Sequence, residues 1–141
     1  MPFVICLAEK PLSANATLRR GYTERIAAEA RMIHADPHFK VPLYSRIIWF
    51  HRGPAQGDSD NIAKRIHDAL KHIVFEDDSI ITHTMAVRVD ISSQAEIVAD
   101  GANPDAFERL TQMLSDTGNK HVLYIEIGKQ NGARIYLGPL R

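Results

Sequence analysis

A chain of 141 residues that is 45% hydrophobic is long enough to bury one ordinary core, about 68% of the surface its unfolded form exposes, and too short for two such domains. A single cysteine, Cys6, excludes an intrachain disulfide and any multi-cysteine zinc site, and its apolar setting reads as the buried thiol of a cytoplasmic protein. The 17 basic and 17 acidic residues cancel, yet residues 1–57 hold eight bases against four acids while residues 58–78 hold six acids against three bases.

The apolar run at residues 3–8 has no basic residue ahead of it and meets Glu9 and Lys10 at once, so it is too short for a signal sequence or a membrane span and is expected as the first strand. Residues 9–20, with Pro11, Ser13 and Asn15, read as a polar loop. Residues 22–35 are rich in Ala, Glu, Arg and Met and predict a helix that stops before Asp36 and Pro37, because the residue before proline disfavours helical geometry. Residues 43–50 predict a buried strand.

Gly53, Pro54, Ala55, Gln56 and Gly57 then form a loop that delivers Asp58 and Asp60 to the next helix. In that helix Ile62, Ile66, Ala69, Leu70 and Ile73 recur at helical spacing, which puts Lys64, His67, Asp68 and Lys71 on opposite or flanking faces. Residues 80–90 alternate, with Ile81, Met85, Val87 and Val89 expected on one face and Thr82, Thr84 and Arg88 on the other. Asn103 and Pro104 open a third helix with Phe107, Leu110 and Leu114 as its buried stripe and Gly118 as its stop. Residues 121–127 and 133–137 look like a hairpin around Asn131 and Gly132. The expected fold is α/β or α+β: one domain over residues 1–141, a mixed sheet of five or six strands, and three helices.

The chemistry concentrates between residues 58 and 78. Asp58 and Asp60 precede the helix that carries Lys64, and Asp77 and Asp78 follow it; acids at both ends of one helix can supply oxygen ligands for Mg²⁺. Each feature has a plainer explanation. Asp60 suits a helix N-cap, Glu76 to Asp78 suits a solvated turn, and Lys64 suits a surface ion pair four residues after Asp60. Folding alone does not require the three together. The histidines do not make a zinc site, since Pro37 separates His34 from His38, and His67 and His72 are five apart. The sequence contains no Walker loop, Gly-x-Ser-x-Gly elbow or GxGxxG. Trp49 and Phe50 read as core, whereas Arg46 and Arg52 flank the same strand as candidate phosphate contacts.

Gly57-Asp58-Ser59-Asp60-Asn61-Ile62-Ala63-Lys64, continuing through Asp68-Ala69-Leu70 to Phe75-Glu76-Asp77-Asp78-Ser79, resembles the RusA family of Holliday junction resolvases. Lys10-Pro11-Leu12-Ser13-Ala14-Asn15 and the helix from Tyr22 look like that family's N-terminal part. The resemblance implies a homodimeric endodeoxyribonuclease that uses Mg²⁺ or Mn²⁺ to nick a four-way DNA junction symmetrically, without a membrane. It implies Asp58, Asp60 and Asp78 as essential acids and, with Asp77, as the metal ligands, Lys64 as the essential lysine, and Asn61 and Asp77, with Asp68 as a weaker candidate, as groups that could orient the ligands. Arg19, Arg20, Arg46 and Arg52 are the expected DNA contacts. The sequence departs from the pattern at Gln56 and Gly57, where a basic residue is common, at His72, where a glycine often ends the helix, and at Ile80, where glutamine is common. Two other functions fit less well: a non-catalytic nucleic-acid-binding protein of the same fold, disfavoured because such a module gains by losing acids near phosphates, and a Mg²⁺-dependent hydrolase of small phosphorylated substrates, disfavoured by the missing phosphate loop.

Overall fold

The computed structural model describes residues 2–14, 16–17, 19–33, 39–54, 61–92, 96–131 and 137–139. In chain order the elements are β1 (Phe3–Leu7), α1 (Tyr22–Ile33), β2 (Leu43–His51), α2 (Ala63–Leu70), a 3₁₀ turn (Asp78–Ile80), β3 (Ile81–Asp90), α3 (Pro104–Ser115) and β4 (His121–Lys129). The strands form one mixed sheet in the order β1-β4-β2-β3, with β2 and β3 parallel and the other pairs antiparallel. α2 lies in the crossover between the two parallel strands, as parallel pairing requires. The fold is a single-domain α+β structure. Four strands are present among the described residues rather than five or six, and the strand expected at 133–137 falls almost wholly outside them. Among the described residues no helix is long and apolar enough to cross a membrane.

The sheet separates two cores. On one face Leu43, Ile47 and Trp49 of β2 and Leu123, Ile125 and Ile127 of β4 meet Tyr22, Ile26 and Ala30 of α1 and Ile66, Ala69 and Leu70 of α2. On the other, Val4, Cys6, Phe50, Val122 and Tyr124 meet Leu110 of α3. β4 is buried on both faces because it pairs with β1 and β2 at once, which explains its unbroken apolar run. Cys6 is buried as expected, and burial pushes its thiol up to about 11.

Two expected faces need correction. A register shift between Leu43 and Tyr44 pairs Leu43 with Ile81 but Tyr44 with His83, so one extra residue of β3 intervenes and inverts the alternation. Ile81 and Ala86 therefore pack on the first core, whereas Val89 packs on the second and Met85 is 43% exposed. In α3, Leu110 is buried and Leu114 partly so, but Phe107 is 39% exposed. The start of α3 is as expected: Asn103 accepts from the backbone N–H groups of Asp105 at 3.0 Å and Ala106 at 3.2 Å, with Pro104 following.

Candidate active site

α2 buries one side of its surface and presents the other as a charged ridge. Ile62, Ile66, Ala69 and Leu70 face the core, and Lys64 Nζ stands 3.5 Å from Asp68 Oδ1 one turn on. Ile62 stands at the N-cap and makes no side-chain cap bond. Asp58 and Asp60 themselves lie outside the described residues.

Beyond α2 the chain turns through His72, which takes a positive φ of 69°, the conformation that glycine adopts most readily. Asp77 then caps the 3₁₀ turn, accepting from the Ser79 N–H at 3.4 Å, and stands 4.0 Å from Lys71 Nζ. The Ser79 N–H, the neighbouring Asp78 side chain and Lys71 hold the Asp77 carboxyl below its usual range. Asp77 and Asp78 are adjacent at the start of this turn, two hard oxygen donors of the kind a divalent cation takes. Among the described residues no group of three or more His, Cys, Asp or Glu could hold a metal, so two donors of the expected set are in view and the other two are not described.

His67 joins the two halves of the site. It lies on the buried side of α2 rather than the flanking side expected for it, with a ring nitrogen 2.8 Å from Ser45 Oγ and its edge against Phe75. Burial lowers its pKa; the charges acting on it are Asp78 and Asp68, which oppose that shift, and Lys64, which adds to it. Lys64, Asp68 and Asp78 therefore share one electrostatic neighbour, the buried imidazole. Ser45 was the available clue, since it alternates inward with Leu43, Ile47 and Trp49, and a buried hydroxyl needs a partner.

Sequence reasoning also missed Arg65. Its guanidinium donates to the carbonyls of Ser13 at 2.8 Å, Ala14 at 3.2 Å and Ala16, while the Ala14 N–H donates to the Asn61 carbonyl at 2.8 Å. The polar loop after β1 is thereby docked on the start of α2. Tyr22 accepts from the Leu12 N–H at 3.2 Å and closes the loop from the other side.

The four candidate arginines separate. Arg19 donates to Glu9 at 2.5 Å and to the Lys10 carbonyl at 2.6 Å, and Arg20 is exposed next to it. Arg46 projects from the opposite face of the sheet, 3.7 Å from Glu126 Oε2. Arg52 donates to the carbonyls of Asn119 at 3.3 Å and Leu114, closing the end of α3. A cavity of about 380 Å³ lies on Arg46's face, lined by Tyr44, Tyr124 and Glu126 and by none of the acids or lysines of α2 and the 3₁₀ turn.

The family described as endodeoxyribonuclease RusA matches residues 10–98. That span runs from the docked loop through α1, β2 and α2 to the end of β3 and ends before α3. No curated protein matches the chain.

Proposed function

The chain belongs to the RusA family of endodeoxyribonucleases, and from that premise we propose that it resolves four-way DNA junctions as a divalent-metal-dependent homodimer that makes paired, symmetric nicks. The observation that supports this reading best is the succession of charged groups along α2 and the turn after it: Lys64 3.5 Å from Asp68 on the helix, and Asp77, 4.0 Å from Lys71, capping the turn that begins at Asp78.

Asp58, Asp60 and Asp78, with Asp77, would hold Mg²⁺ or Mn²⁺, which supplies polarisation of the scissile phosphate and activation of the attacking water when bound. Lys64 sets a positive charge against the phosphate oxygens, where charge grows in the transition state. Lys71 and the Ser79 N–H keep Asp77 ionised and aimed. The His67–Ser45 bond ties α2 to β2 and so fixes the height of Lys64 over the sheet. One chain carries one such acid set, so two nicks need two chains related by a two-fold axis.

The test is incubation of the protein with labelled synthetic four-way junctions and Mg²⁺, with duplex and single-stranded DNA as controls. Paired nicks specific to the junction are expected, and Asp78→Asn and Lys64→Ala should each slow single-turnover cleavage on the order of 100-fold or more. Wild-type rates in Asp78→Asn would overturn the assignment of the site. A protein that light scattering shows to be strictly monomeric on the junction, and that never pairs its nicks, is not a resolvase.

A further inference from the structure

The end of the sheet where β2 finishes gathers basic groups that the acidic site does not use. His51 pairs in register with His121, and the β1–β4 pairing, which closes at Leu7 opposite Leu123, sends the chain that leaves β1 toward the same end. Lys10 lies three residues beyond Leu7, and the bond from Arg19 to its carbonyl holds it there. Lys120 directly precedes His121, and its carbonyl accepts from the Arg52 N–H at 3.1 Å.

Between the two imidazoles stands Trp49, whose Nε1–H donates to Nδ1 of His121 at 3.1 Å. That bond sets the tautomer. A nitrogen that accepts carries no proton, so the neutral His121 ring bears its proton on Nε2 and offers it as a donor. Burial lowers the pKa of His121, and the cationic groups Lys10, His51, Arg19 and Lys120 add to that shift. Of the carboxylates at this end, Glu9 is paired with Arg19 and Arg25, and Asp90 accepts from Ser92. Two lysines and a fixed N–H donor suit the oxygens of a backbone phosphate.

We propose that Lys10, Lys120 and the Nε2–H of His121 form a subsite for the DNA backbone phosphate, holding the strand one loop away from Lys64. The inference rests on the nuclease reading above. The connection is structural: residues 10–14 run from this subsite to Asn61 and Arg65 at the start of α2, so a strand held at one end of the loop is directed to the helix that carries Lys64. The path passes the sheet end and avoids the Arg46 face.

The experiment is equilibrium binding of a labelled four-way junction in metal-free buffer over a range of salt concentrations. The double variant Lys10→Ala/Lys120→Ala should bind about ten-fold or more weakly at 0.1 M salt, and the slope of log affinity against log salt should flatten by about 2, close to one unit for each phosphate that is no longer neutralised. His121→Ala should weaken binding by several fold and His121→Gln, which retains an N–H donor, by less. Arg109→Ala removes a cation from α3 instead and serves as the reference for a general loss of charge. If the double variant loses no more affinity than Arg109→Ala and keeps the wild-type salt slope, the subsite is overturned while the nuclease reading stands. If the wild-type protein does not bind the junction at all, the nuclease reading falls first and the subsite with it.

Discussion

Among the described residues one face of the sheet is sealed by two helices and the other is partly covered by one, and the two helices lie within the matched residues 10–98 while the one lies beyond them. The sealed face carries α1 and α2, both within the matched residues 10–98, and its side-chain hydrogen bonds among the described residues include His67–Ser45 and Trp49–His121. The open face is covered by α3, beyond the match, and holds a polar cluster beside the cavity, with Val98 79% exposed at its rim. Tight packing on the first face holds the acids' supporting helix at a fixed height. The second face has a charge network where the first has hydrocarbon.

Stability should follow that division. Leu70 on α2 is fully buried in the larger core, so Leu70→Ala should cost about 2 to 5 kcal/mol through forfeited transfer energy and the cavity left behind. Phe107→Ala, from a side chain already in part solvent-exposed, should cost well under half as much. Urea unfolding of both variants makes the comparison, and equal losses would mean that the open face is covered more completely than its exposed residues show.

The polar cluster sharpens the contrast at an intermediate magnitude. Glu126 is buried, its two oxygens accepting from the Tyr44 and Tyr124 hydroxyls at 2.6 Å each, with Arg46 at 3.7 Å. Gly128 makes the geometry possible, because a Cβ there would stand 2.5 Å from the Tyr44 ring. Both phenols are pushed up, first by burial and then by the carboxylate they donate to. Glu126→Gln replaces one acceptor by an NH₂ donor and leaves one hydroxyl to be rearranged, at a cost of about 1 to 3 kcal/mol. Ultraviolet titration should show the tyrosines ionising at lower pH than in the wild type; an unchanged tyrosine titration would remove Glu126 as the cause.

Local signals reached most of the elements but not their partners. The Asn103-Pro104 start of α3 and the apolar spacing of α2 are legible because the cap and the period are written in adjacent residues. The central place of β4 was not, since strand order is a long-range property and its apolar run fits a hairpin arm equally well. The reversed faces of β3 arise from one extra residue opposite β2, which alternation cannot register. At the candidate site, type and spacing singled out Lys64, Asp77 and Asp78, and His72 marks where a glycine was expected with a backbone angle that glycine favours. Arg65 was invisible because its partners are backbone carbonyls some fifty positions away, which no side-chain pattern announces.

The smallest predicted effect is a pH dependence that should originate mainly on the sealed face. Burial lowers His67 in the folded protein, so between its unfolded value of about 6.5 and its folded one the unfolded chain binds more protons. Its contribution is therefore complete above that unfolded value and is lost as the pH falls through the window below it. His121 is lowered by burial as well and has the same sign. Carboxylates cannot mimic this: burial pushes Glu9 up, but its bonds to Arg25 and Arg19 win and lower it, while Ser79 lowers Asp77 and Ser92 lowers Asp90, so their losses fall below about pH 4.5. Melting temperatures should thus decline between pH 7.5 and 5.5, level off, and decline again in stronger acid. His67→Gln retains a donor for Ser45 and removes the titration, so its first decline should be shallower than that of the wild type, leaving the part due to His121. If both proteins lose the same number of degrees between pH 7.5 and 5.5, the buried imidazole of α2 is not what senses the proton.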